Sequence, residues 1–154
     1  MGENPGSLVG YCGLYCGACG IRQGRVKQAV ENLRKVLGAY GFDKITPELA
    51  KWEPAFQHYA EYEKVLDGFV RLLGECPGCV SGGGDPNCAL RECSKKRGYA
   101  TCADCPEMDT CVKLKRYRWT SKALLEIRAE GADRWAKEME RKVSEGFCYL
   151  DEKA

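Results

Sequence analysis

The sequence lacks a cationic start followed by an apolar run, and this absence argues against secretion and membrane anchoring. The opening residues, MGENPGSLVG, contain neither a signal-peptide nor an anchor pattern. The net charge of +2 is too small to indicate a polyanionic partner. We find neither internal repeats nor a low-complexity tract, and strand signals are weak throughout. We therefore expect a cytoplasmic, mainly helical protein that makes no contact with membranes.

Groups that could perform catalysis are also scarce. No set of residues matches an acid–base, nucleophilic or phosphate-loop constellation. The chain has 1 histidine, His58, which lies in a predicted helix among aromatic residues, where packing is more common than metal binding. We predict no catalytic residues and favour a role other than that of an enzyme, without settling the question.

Cysteine, in contrast, is abundant, with 11 residues in a chain of 154. An odd number arranged in Cys-x2-Cys pairs suits thiolate ligands in a reducing compartment better than a set of disulfides. We therefore predict metal binding. The predicted ligands are Cys12, Cys16, Cys19, Cys76, Cys79, Cys88, Cys93, Cys102, Cys105 and Cys111.

The spacing of the cysteines carries more information than their number. In CPGC (76–79) and CADC (102–105), a tight turn can point both sulfurs at one ion, and two such turns complete a tetrahedral site. If these two turns share an ion, then Cys88, Cys93 and Cys111 could complete a second site with a cysteine of the opening loop. The pairing and the number of ions stay open at this point.

The opening loop, YCGLYCGACG at 11–20, has a Cys-x3-Cys-x2-Cys spacing. Radical S-adenosylmethionine enzymes hold a [4Fe–4S] cluster with this spacing, but the chain lacks the strand–helix alternation of their barrel. A plain [4Fe–4S] cluster is the main alternative to zinc, because all-thiolate sites accept both. A thiol redox centre is less favoured, since neither CPGC nor CADC follows a convincing strand. The glycines after each cysteine would allow positive φ angles and bring amides toward the sulfurs.

Hydrophobic periodicity predicts helices before and after the main group of cysteines. Between them, residues 76–111 have too few periodic apolar residues to build a core, so we expect metal to order this segment. The predicted helices cover 23–37, a short segment with Thr46 as N-cap and Pro47 as its first residue, 55–73, and 120–146 with a break at Gly131.

The predicted fold is a mainly α domain with an irregular, metal-stabilised, cysteine-rich segment of the zinc-ribbon or zinc-knuckle kind. We expect a single domain over 1–154. Its three parts are the cysteine loop with helices (1–75), the cysteine-rich segment (76–111), and a basic stretch with the C-terminal helix (112–154).

The basic stretch, VKLKRYRWTSK at 112–122, interleaves five basic residues with Tyr117 and Trp119. This composition can contact phosphates and stack on bases. We favour a different interpretation, in which the cations balance thiolate charge and the two rings pack on the core. Nucleic acid is thus a less favoured partner than protein.

Three stretches resemble a known family. YCGLYCGAC is similar to its opening motif, CPGC with CALRECSKKRGYATCADCPEMDTCVKL to its central run, and IRAEGADRWAKEMERKV to its closing helix. The family comprises small cysteine-rich bacterial and archaeal proteins and is called domain of unknown function 3795. The resemblance implies zinc binding through the ten predicted ligands and no established reaction or partner. Many members end with a cysteine pair, whereas here Cys148 stands alone, so we do not count it as a ligand.

These observations together predict a metal-binding protein, with zinc favoured, that acts as a structural, binding or accessory module through all-cysteine sites. Such closed sites leave no open position for a water molecule, which argues against hydrolysis. The alternative is an iron–sulfur protein, for example a small subunit of an anaerobic redox complex.

Overall fold

The computed structural model describes residues 4–151, without the side chains of residues 117–119. These residues form two compact units. The described residues up to Cys19, together with those from Cys76 onward, form the first, which we call the cysteine-rich unit because it contains all 11 cysteines. Gly20–Glu75 forms the second, which we call the helical unit. The single domain expected over 1–154 stays a prediction.

The helical unit contains three α-helices joined by short connections. They are α1 (Arg25–Ala39), α2 (Phe42–Leu49) and α3 (Tyr59–Leu73), and a 3-10 helix at Pro54–His58 leads into α3. Helix α1 packs against both α2 and α3. On their outer surface, Arg34 of α1 binds Glu63 and Asp67 of α3, with nitrogen–oxygen distances of 2.9 and 2.8 Å.

The predicted helices at 23–37 and 55–73 are confirmed, but the predicted start of the short helix is wrong. Helix α2 begins after Gly41, whose φ of 66° is in the left-handed region that glycine adopts readily. Thr46 and Pro47 therefore lie inside α2, where Thr46 is a buried side chain and does not cap the helix.

The cysteine-rich unit contains α4 (Ala89–Arg97), α5 (Ser121–Glu130) and α6 (Ala132–Ser144). The break predicted at Gly131 is confirmed, since this residue has φ 88° and ψ 148° between α5 and α6. Helix α4 was not predicted. Short 3-10 helices complete the unit, at Pro5–Leu8, Cys16–Ala18, Cys102–Asp104, Met108–Thr110 and Leu114–Thr120.

The core of this unit lies where α5 and α6 pack on the N-terminal turns. Tyr15 and Trp135 meet edge to face, with ring centroids 6.3 Å apart. The Trp135 indole donates a hydrogen bond of 2.9 Å to Glu126, so its polar edge is satisfied within the core. Leu90 and Leu124 are each 1% exposed, and they join α4 and α5 to the same core.

The predicted mainly helical class is confirmed. Across residues 4–151 the structure has no β-strand, and the nearest feature is one antiparallel bridge between Val9 and Tyr15. In the same range, every helix is too short or too polar to cross a bilayer.

Candidate metal centre

The opening loop is a tight knuckle with Cys12 at its tip. Val9 and Tyr15 form its bridge, and the Gly10 amide donates to the Leu14 carbonyl over 2.7 Å. Gly13 has φ +84°, and a Cβ placed on it would lie 2.9 Å from the Leu124 side chain. The expectation of a positive φ after each loop cysteine is thus confirmed at Gly13, where close packing also requires glycine. It is wrong for Gly17 and Gly20, whose φ angles are not positive.

The CGAC and CADC turns have the same local shape. Each is a single 3-10 turn, in which the amide of the last cysteine donates to the carbonyl of the first, over 3.1 Å from Cys19 to Cys16 and 3.2 Å from Cys105 to Cys102. The first cysteine is buried in both, Cys16 at 6% and Cys102 at 7% exposure. In the second turn a capping box of Thr101 with Asp104 fixes the start.

The chain brings the opening loop to both of the later cysteine turns. The Cys79 amide donates to the Cys16 sulfur over 3.4 Å, and the Cys102 amide donates to the Tyr11 carbonyl over 2.7 Å. The thiols of Cys16 and Cys79 also share a hydrogen bond. The CPGC turn therefore meets the opening loop, which differs from the arrangement in which CPGC pairs with CADC.

A second group of thiols surrounds Cys12. Cys12 is close enough to Cys88 for their charges to interact, and Cys102 is close enough to interact with Cys12, Cys111 and Cys93. Cys12, Cys88 and Cys111 are partly buried and pack against the core cluster that includes Cys102. The Ser94 hydroxyl lies 3.7 Å from the Cys102 sulfur.

Burial and crowding hold these thiols in their protonated form in the absence of a cation. Burial is the main cause of the raised pKa of Cys12. It is also the main cause for Cys102, whose pKa is raised to about 11. For Cys79, the hydrogen bond with Cys16 is the main cause of a raised pKa, followed by burial. A bound metal cation would reverse this balance, because it stabilises thiolates and releases their protons.

Arginine side chains position the cysteine loops, a role that no sequence pattern predicted. Arg91 of α4, which is 8% exposed, donates to the carbonyls of Cys79 and Gly83 over 3.4 and 2.6 Å, and to that of Asp85. Three carbonyls from one loop thus converge on a single planar guanidinium. Such multiple donation is specific to arginine.

Two further arginines bind the CADC loop. Arg128 of α5 donates to the carbonyls of Ala103 and Cys105 over 3.0 and 2.9 Å. Arg97 of α4 donates to the Cys105 sulfur over 3.6 Å and to Glu107 over 3.0 Å. Loop shape and sulfur charge are therefore both supported by cations from neighbouring helices.

The structure brings part of the predicted ligand set together without forming a coordination shell. All 11 cysteines are unbridged. Within residues 4–151, no three His, Cys, Asp or Glu side chains are arranged as ligands of one ion. Cysteine sulfurs are suitable ligands for a thiophilic metal. In this structure, however, the thiols are neighbours and are not arranged around one ion. Cys148, excluded as a ligand above, is fully buried at 0% exposure.

Two further features that the sequence indicated are His58 and the basic stretch. His58 is in the helical unit, at the wall of an apolar pocket. Lys113 lines an open basic cavity with Lys95 and Lys96. The predicted packing of Tyr117 and Trp119 on the core concerns side chains that lie outside the described part of the structure.

The fold and the thiol groups define a small, mainly helical, cysteine-rich protein. The chain belongs to the family described as protein of unknown function (DUF3795), whose family model matches residues 8–116. This match covers the opening loop, the helical unit and every cysteine of the predicted ligand set, and it confirms the suspected family. The stretch likened to the closing helix of the family lies beyond the matched residues. No curated protein and no solved structure matches the chain.

Proposed function

We propose that the protein binds zinc through thiolates of the cysteine-rich unit and acts as a metal-stabilised binding or accessory module. The observation that carries this proposal is the meeting of thiols from distant parts of the chain. Cys16 and Cys79 share a hydrogen bond across 63 residues of sequence, and Cys12 is close enough to Cys88 for their charges to interact. Unbridged thiols brought together in this way are typical of sites for a thiophilic cation.

The segment around CPGC gives an energetic reason for a metal. From Glu75 to Cys88 the chain forms no helix and buries no apolar side chain. Besides its own turn hydrogen bonds, it is held by Arg91 and by the contact between Cys79 and Cys16. A structural zinc ion contributes about 10–16 kcal/mol of apparent binding free energy in finger peptides, which is ample to order such a loop.

A closed, all-thiolate zinc site favours architecture over catalysis. Four thiolates leave no coordination position for a water molecule, so the ion cannot generate a hydroxide nucleophile. The role we propose is to hold the opening loop and the later cysteine turns in one surface.

An iron–sulfur cluster is the second candidate. The observation that favours it is the number of thiols around Cys12, since Cys16, Cys79, Cys88 and Cys102 all interact with its charge. A cluster needs several thiolates over a wider space than one ion, and protein sulfur ligands alone can hold it. In that case the protein would serve electron transfer in an anaerobic redox complex.

Metal analysis of protein purified without oxygen tests both candidates. We expect colourless protein with stoichiometric zinc, whereas broad absorption near about 400 nm with bound iron would favour the cluster. Cys79→Ala should lose metal, and Cys148→Ala, which removes a buried thiol outside both groups, should retain it. Protein that binds neither metal stoichiometrically, or whose bound metal supports turnover, would overturn the proposal.

For the binding role we propose a protein partner with an acidic surface. Lys95, Lys96 and Lys113, together with Arg97, line an open cavity of about 780 Å³ on the cysteine-rich unit. Glu92 is the acidic residue among the lining side chains. Association through such a surface should weaken steeply as ionic strength rises. Binding that is specific for RNA or DNA would contradict this choice of partner.

A further inference from the structure

A pocket in the helical unit is independent of the cysteines. It encloses about 390 Å³ between α1, α2, α3 and the 3-10 helix, which lies in the range of roughly 300–1,000 Å³ typical of small-molecule sites. All of its lining residues belong to Gly20–Glu75, so the pocket is complete within one unit. It plays no part in the proposed metal binding.

The walls of the pocket are almost entirely carbon. Four of the lining residues carry aromatic rings, namely Phe42, Phe56, Tyr59 and Tyr62. Leu33 and Leu37 of α1 also line the pocket. The rings of Tyr59 and Tyr62 are 5.8 Å apart and tilted by 43°. Aromatic walls of this kind favour planar aromatic guests, which can pack edge to face or offset against several rings.

The helical unit leaves this apolar surface uncovered. Its fully buried side chains are Val30, Thr46 and Leu66, while Leu33 is 41% and Tyr62 is 37% exposed. A guest that fills the pocket would cover apolar surface that stays in contact with water after Gly20–Glu75 has folded. Covering this surface favours binding of an apolar guest.

Two polar groups of the pocket lining, the His58 imidazole and the Tyr62 hydroxyl, make no hydrogen bond with another described residue. The Tyr59 hydroxyl, by comparison, bonds to Glu63, which Arg34 holds in turn. His58 can bind a polar substituent of a guest through either a donor or an acceptor nitrogen.

We propose that this pocket binds a small planar aromatic compound that carries one hydrogen-bonding group, with His58 as the partner of that group. The ring system lies among Phe42, Phe56, Tyr59 and Tyr62. A pocket of about 390 Å³ has the size of a one- or two-ring compound, whereas a helix of another protein needs an apolar groove that runs along several helical turns.

Isothermal titration with 2-naphthol tests the proposal on the full-length protein. We expect saturable binding of one molecule per chain. Ala55→Trp places a bulky ring in the pocket wall and should abolish binding, whereas Ala60→Trp, at an exposed position of α3 outside the pocket, should leave it unchanged. Circular dichroism of both variants checks that the helices are retained.

His58→Ala tests the polar contact separately. It should weaken 2-naphthol binding by about two- to tenfold more than it weakens naphthalene binding, and this difference is the effect of one hydrogen bond. Three results would overturn the proposal: no saturable binding, binding of decanoate in preference to 2-naphthol with the same response to Ala55→Trp, or a dimer whose formation protects the pocket. None of these results bears on the metal content of the protein.

Discussion

The buried guanidinium of Arg91 gives the sharpest prediction for the cysteine-rich unit. Arg91→Met keeps a side chain of similar length and removes every hydrogen bond to the loop that contains Cys79, Gly83 and Asp85. The bonds to Gly83 and Asp85 are short, and the bond to Cys79, at 3.4 Å, is long and weaker.

The size of the effect follows from these contacts. A hydrogen bond to a charged group contributes about 1.5–3 kcal/mol, so the two short bonds together contribute about 3–6 kcal/mol. Removal of a buried charge regains part of its desolvation cost. We therefore expect a net loss of about 3 kcal/mol in the free energy of unfolding, at the lower end of that sum. Arg91→Lys should lose less but still destabilise, because one ammonium cannot span all the carbonyls.

Urea denaturation of the reduced, metal-free protein measures this loss, and hydrogen exchange of the amides at 79–85 locates it. Arg97→Met is the matched control, since Arg97 lies on the same helix but is 42% exposed and pairs with Glu107. Its loss should stay below about 1 kcal/mol, as for other surface ion pairs. Equal losses for the two variants, or unchanged exchange at 79–85, would refute the assigned role of Arg91.

Two further predictions concern the opening loop and the thiol groups. Gly13→Ala forces a left-handed φ and a contact with Leu124, so it should cost about 1–3 kcal/mol in urea denaturation. Gly24→Ala, also at positive φ but in open space, should cost less, and the reverse order would contradict the packing argument. The raised pKa of Cys102 favours the protonated thiol in the folded state, so its contribution to stability is complete below pH 9.0 and is lost as pH rises through about 11. This decline should be shallower in metal-free Cys102→Ala, and identical pH profiles would exclude the effect.

The sequence patterns predicted the helices with regular apolar spacing. Helices α1, α3, α5 and α6 each carry such a pattern, and the break at Gly131 follows from glycine alone. Helix α4 has no such pattern because its buried side chains are Leu90, Arg91 and Ser94, two of which are polar. The acceptors that make a buried Arg91 stable are backbone carbonyls, which have no sequence signature.

The arrangement of the cysteines depends on the tertiary fold, and this explains why spacing alone left it open. Spacing describes turns such as CPGC and CADC, whose local shape is set by neighbouring residues. The approach of Cys16 to Cys79 depends instead on how the chain returns after 63 residues. The metal itself and the ligand set of each ion remain predictions that the proposed analysis of zinc and iron will test.

The cysteine-rich unit is assembled from two separated lengths of chain, with Gly20–Glu75 inserted between them. This order has a consequence for synthesis on the ribosome. At about 5–20 residues per second, several seconds pass between the emergence of Cys16 and that of Cys79. The helical segment can fold during this delay, while the first thiols wait without their partners. Newly made chains are therefore most exposed to oxidants and to competing metal ions in that interval.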